Sequence, residues 1–131
     1  MLPSLWPGDL LLIHRCDFGR ISTGDIVLFT RDGRLFAHRV VSLAGEPGSE
    51  QVVTQGDALR APDPAVTSAE LLGRVSLVFR NGKWIAPRAR LSAGGLLLAA
   101  LVSRFPLAAG VLFRLHSIRW TWREQEASCE S

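Results

Sequence analysis

Apolar and polar positions alternate in short runs over the first two thirds of the chain, and each run is closed by Gly, Pro, Asp or Asn. That pattern predicts strands and tight turns. "DLLLIHR" (9–15) reads as a strand. "GDIVLFTRDGRLFAHRVVSL" (24–43) reads as two strands around the turn Arg31-Asp32-Gly33-Arg34, because Asp-Gly between alternating segments is a strong hairpin signal. "EPGSE" is a loop, "QVVT" (51–54) a short strand, and "QGDALRAPDPAVTSAE" a long loop rich in Pro and Gly. "LLGRVSLVFRNGKWIA" (71–86) is a second hairpin turning at Asn81-Gly82.

From residue 87 the pattern changes. "RARLSAGGLLLAALVSRFPLAAGVLFRLHSIRWTWR" has many Leu and Ala and few β-branched residues, so it reads as helical. Pro106 interrupts it, which predicts two helices, over about 91–103 and 106–117. The expected organisation is therefore a β domain over 1–86, an Arg-rich apolar helical tail over 87–123 and a disordered end over 124–131.

Residues 95–113 have the length of a membrane span. Their strongly apolar residues contribute roughly −0.3 to −0.6 kcal/mol each, and Arg104 costs about 2.5 to 3.5 kcal/mol. The terms nearly cancel. Three placements stay open: helices lying in one leaflet, a true span, or helices packed on the β body. Arg114, Arg119 and Arg123 beside Trp120 and Trp122 form a pattern suited to a membrane interface.

Composition sharpens this picture. With 131 residues, 47% of them apolar and 21% charged, the chain can bury one core and is not disordered by composition. The net charge of +3 is unevenly spread. Basic and acidic residues balance up to Ala86, whereas 87–123 holds Arg and no acidic residue. An anionic membrane surface is the expected partner of that stretch, and nucleic acid is not. Cys16 and Cys129 are far apart, and no C-x-x-C or H-x-x-x-H spacing suggests a disulfide framework or a metal. Pro3, Pro7 and Asp9 interrupt any N-terminal signal peptide, and no Gly-rich phosphate loop or other cofactor motif is present.

Three blocks carry candidate chemistry: "MLPSLWPGD" (1–9), "GDIVLF" with "AHRVV" (24–29 and 37–41), and "TQGDALRAPD" (54–63). Singly they are ordinary. Gly-Asp pairs are turn chemistry. His38 alone reads as a structural or surface histidine, and Asp63 between two prolines as a rigid loop carboxylate. His14 and His116 have no partner suggested by spacing.

Taken in order, the blocks resemble the signal peptidase family of serine proteases, whose fold is shared by LexA-type peptidases. The residues that carry the resemblance are Met1-Leu2-Pro3-Ser4, Gly8-Asp9, Gly24-Asp25-Ile26-Val27, His38-Arg39-Val40-Val41, Thr54-Gln55-Gly56-Asp57 and Gly73-Arg74-Val75, over about residues 1–80. His38 stands where many members have Lys. This is similar to the branch of the endoplasmic reticulum, archaea and some bacteria, for which the resemblance implies a Ser-His-Asp arrangement. His38 would be the general base and Asp63 the acid that orients it. Asp57 would be structural, pairing with Arg39. Ala58 replaces the family's Asn. The implied fold is mainly β, with coiled sheets around a small barrel, followed by the helical segment.

The chemistry suits a peptidase. A Ser hydroxyl needs a base to take its proton, a neutral imidazole can do so near pH 7, and a carboxylate fixes the tautomer. The same alignment puts the nucleophilic Ser at the residue before Met1. Three explanations stay open: a start upstream of Met1, a non-catalytic relative, or substitution by Ser4. Ser4 fills the family's Thr/Ser slot. Met1, Leu2 and Pro3 would line the substrate site, while Leu5 and Trp6 either meet substrate and lipid or cap the core.

The expected activity is an endopeptidase cutting exported or membrane-associated precursors. Its substrate would be an extended peptide added to a strand edge, with small side chains before the cut. Its expected location is a membrane, the bacterial inner membrane by resemblance. The alternative is a non-catalytic, membrane-associated peptide-binding module on the same fold. A LexA-type regulator has no support, since no helix-turn-helix precedes the β body and His replaces Lys.

Overall fold

The computed structural model describes residues 1–46, 50–90 and 92–104. Six strands form one antiparallel sheet: β1 (Leu10–His14), β2 (Ile26–Arg31), β3 (Arg34–Ala44), β4 (Gln51–Gln55), β5 (Leu71–Arg80) and β6 (Lys83–Ile85). One helix follows, α1 (Ala93–Arg104). The sheet order is β1-β5-β2-β3-β4, with β6 on β5. The path is open among the described residues: β1 and β4 are its ends.

The turns form where the sequence demands them. Asp32 and Gly33 (φ 51° and 71°) and Asn81 and Gly82 (φ 52° and 76°) both supply two consecutive left-handed residues. This geometry matches the twist of a two-residue hairpin. It fixes the β2–β3 register with Arg31 opposite Arg34 and Val27 opposite His38. A register shift interrupts each of the β1–β5, β2–β5 and β3–β4 pairings, and such bulges bend a sheet.

Alternation along β2 and β3 splits the core in two. Val27, Phe29 and Val40 point to one face and pack with Phe18, Ile21, Val52 and Val66. Ile26 points to the other face, with Val75 and Val78, and Met1, Leu5, Leu11, Ile13 and Ala37 pack against that cluster. Phe36 joins the first cluster and Ala37 the second, as a period of two requires. Burial of each large side chain contributes about 1.5 to 3 kcal/mol. Both faces of the β2–β3 hairpin are therefore fixed, and with them everything that β3 carries.

Two details differ from the pattern-based reading. Asp17-Phe18-Gly19-Arg20 closes a single 3-10 turn over Phe18–Arg20, which buries Phe18. Helix α1 starts at Ala93 because Ser92 caps it, its hydroxyl accepting from the Gly95 N–H at 3.2 Å. The helix expected over 106–117 and the disordered end expected over 124–131 lie outside the described residues. No helix among the described residues is long and apolar enough to cross a membrane.

Candidate functional site

The site is built where β4 stops pairing with β3. Among the described residues β4 pairs with β3 from Arg39 onward, so the Arg34–His38 segment of β3 has a sheet partner, β2, on one side alone. His38 stands at that step. Its imidazole packs edge-on to Phe29 and Phe36, with centroids 5.9 Å away in both cases, and these two rings stack at 5.5 Å. One wall of the ring's pocket is thus aromatic and fixed by the core.

The polar wall comes from the loop after β4. Asp63 Oδ2 lies 2.5 Å from His38 Nδ1. The same oxygen accepts the Thr54 hydroxyl at 2.8 Å, and the Asp63 N–H donates to the Thr54 carbonyl at 2.7 Å. Thr54 is fully buried on β4. An ionised carboxylate only accepts, so Nδ1–H is the donor in this contact. Both side chains of the pair are mostly covered, 13% and 18% exposed, so their attraction is weakly screened.

His38 Nε2 faces Gly56. A Cβ at Gly56 would sit 3.3 Å from Nε2 and 3.0 Å from Leu59 side-chain atoms. Any side chain at Gly56 would press on this nitrogen and on Leu59.

Next to His38, Arg39 makes a second, separate network on the opposite face of β3. It donates through Nε and Nη2 to Asp57 (2.9 and 3.2 Å), through Nη1 to the carbonyls of Gly24 (2.8 Å) and Arg88 (2.6 Å), and through Nη2 to Ser4 Oγ (2.8 Å). All five guanidinium N–H groups are matched by acceptors. Asp57 is 2% exposed, so removing either partner would strand a buried charge, at a cost of about 3 to 5 kcal/mol.

Burial pushes the Met1 α-amino group below its ordinary value, and the Asp57 carboxylate opposes that shift. Asp57 directly follows Gly56, which faces His38 Nε2.

The structure thus brings His38 to Asp63, and Ser4 and Asp57 to Arg39. Ser4 does not face the imidazole: its hydroxyl accepts from Arg39 and its carbonyl accepts from Arg80 at 2.9 Å. Leu2 is 5% exposed, so its side chain is buried. Pro3, which follows a cis peptide, lines a cleft with Ser4, Arg80, Pro87 and Leu98. Neither His38 nor Asp63 lines that cleft.

The sequence marks Thr54 and Gly56 only as parts of the Thr-Gln-Gly-Asp block and gives no role to the aromatic pair Phe29 and Phe36. Thr54 had a visible signal: it is a polar residue at an inward position of the alternating run "QVVT". No group of three or more His, Cys, Asp or Glu among the described residues could hold a metal ion. Comparisons with protein-family models, with curated proteins and with solved structures found no match.

Proposed function

We propose that this chain is a signal-peptidase-like serine endopeptidase that uses a Ser-His-Asp mechanism, with its nucleophile supplied by a Ser directly before Met1. The observation that carries the reading is the 2.5 Å contact between His38 Nδ1 and Asp63 Oδ2, with Nε2 turned toward Gly56.

In this mechanism the Ser hydroxyl attacks the scissile carbonyl while Nε2 takes its proton. Asp63 holds the Nδ1–H tautomer and stabilises the imidazolium. The imidazolium then gives its proton to the leaving amine, and water, activated by the same nitrogen, releases the acyl group. The part of β3 without a second sheet neighbour supports the substrate mode. β2 takes the backbone groups of even-numbered residues such as Val40, which bonds Asp25 and Gly24. Those of Leu35 and Ala37 then point to the free side, beside His38, where an extended peptide could add as a strand.

The coiled sheet around a small barrel belongs to the proposal, with the three bulges as its support. So does attachment to an anionic membrane, the bacterial inner membrane by resemblance, through the Arg-rich segment 87–123. A chain extended by Ser before Met1 should cleave peptides after small residues, and His38→Ala in that chain should abolish cleavage. Cleavage equal to that of His38→Ala would refute the activity and favour a non-catalytic peptide-binding module.

A further inference from the structure

We propose that Arg31 is a positioning residue for the His38–Asp63 pair, acting from the end of β2 on both partners at once; the inference rests on the peptidase reading of that pair. Toward Asp63 it works through backbone. Arg31 Nη1 donates to the Pro64 carbonyl at 3.1 Å and Nη2 to the Ala65 carbonyl at 2.9 Å. Pro62 and Pro64 flank Asp63, and proline has no N–H to donate. Carbonyls are thus the handles by which this stretch can be gripped, apart from the Asp63 N–H already bonded to Thr54. β4 holds one side of Asp63 and Arg31 holds the other.

Toward His38 it works through an aromatic ring. The Arg31 guanidinium lies over the Phe29 face, 5.5 Å from the centroid, and Phe29 packs edge-on to the imidazole. Arg31 is itself held by Glu70, through Nε to Oε1 at 2.7 Å and Nη2 to Oε2 at 3.1 Å. Glu70 in turn accepts the Thr67 N–H and hydroxyl at 2.8 and 3.0 Å. This pairing pushes the Glu70 carboxyl down to about 2, so the anchor stays charged at neutral pH. An exposed Arg–Glu pair alone has little value for stability. The two carbonyl bonds are what tie this one to the dyad.

The test reads the pair itself in the full chain, without a nucleophile. The His38 Hδ1 proton, bonded to Asp63, should give a low-field proton resonance that His38→Gln removes. Its exchange lifetime with water is the measured quantity. Arg31→Met should shorten it about tenfold or more, as expected for loss of hydrogen bonds from a charged donor. Arg31→Lys, which keeps the charge but not the fork, should fall between. Arg80→Met is the control. It breaks a comparable Arg–Asp9 pair that includes neither His38 nor Asp63, and should leave the lifetime within about twofold of the parent, since distant sites act independently.

Should Arg31→Met fail to fold, Glu70→Gln gives the same reading, because it frees Arg31 without removing it. Equal effects of Arg31→Met and Arg80→Met overturn the proposal. Absence of the resonance in the parent overturns it too, since no pair would exist to position. Failure of the Ser-extended chain to cleave peptides, with these lifetimes as expected, would refute the peptidase reading alone.

Discussion

At the scale of single residues, the site depends on which atoms can donate. Asp63 Oδ2 accepts from both His38 and Thr54, and the second contact keeps the carboxylate aimed at the ring. Replacing Thr54 by Val keeps the shape and removes the donor. We expect a loss of about 1.5 to 3 kcal/mol of stabilisation at the carboxylate, hence about tenfold to a hundredfold slower peptide cleavage in the Ser-extended chain. Thr54→Ser should restore most of the rate. Unchanged cleavage in Thr54→Val, measured by peptide hydrolysis, would remove Thr54 from the site. The His38 and Asp63 candidates were legible in the sequence through the order of their motifs. The aromatic wall was not, because Phe29 and Phe36 read as plain core residues until the register set them beside position 38.

At the scale of elements, the hairpin turns and the strand alternation were legible because local chemistry decides them. Asp32-Gly33 and Asn81-Gly82 permit left-handed backbone, and that fixes register. The sheet order was not legible, since β5 inserts between β1 and β2 through contacts remote in sequence. The Arg31–Glu70 clamp was hidden for the same reason, as its partners stand 39 positions apart.

The clamp predicts an acid dependence. Glu70 titrates at about 2 in the folded chain against an ordinary 4.5, so folding favours its ionised form. Its contribution is fully present above the ordinary value and is lost as pH falls through the folded value. Denaturant unfolding should show Glu70→Gln less stable than the parent by a constant amount at neutral pH. The gap should narrow below about pH 4.5 and vanish near about pH 2. A gap that persists at the lowest pH would mean that the carboxylate charge is not its source.

At the scale of the whole molecule, a balanced β body is followed by a stretch rich in Arg and without acidic residues. Each Arg near an anionic bilayer contributes about 1 kcal/mol. Changing Arg114, Arg119 and Arg123 together to Gln should weaken co-sedimentation with anionic vesicles about a hundredfold at low salt. No change would remove the membrane from the proposal. These residues lie outside the described structure, and their reading comes from charge pattern alone.

The proposed mechanism stands on His38 acting as the base for a Ser directly before Met1. The most direct measurement is intact-mass analysis of the Ser-extended chain mixed briefly with an activated ester of a peptide ending in a small residue, followed by peptide mapping. The account predicts an acyl group on the Ser before Met1, absent in His38→Ala and strongly reduced in Asp63→Asn. Acylation on Ser4, acylation that persists without His38, or no acylation at all would contradict it.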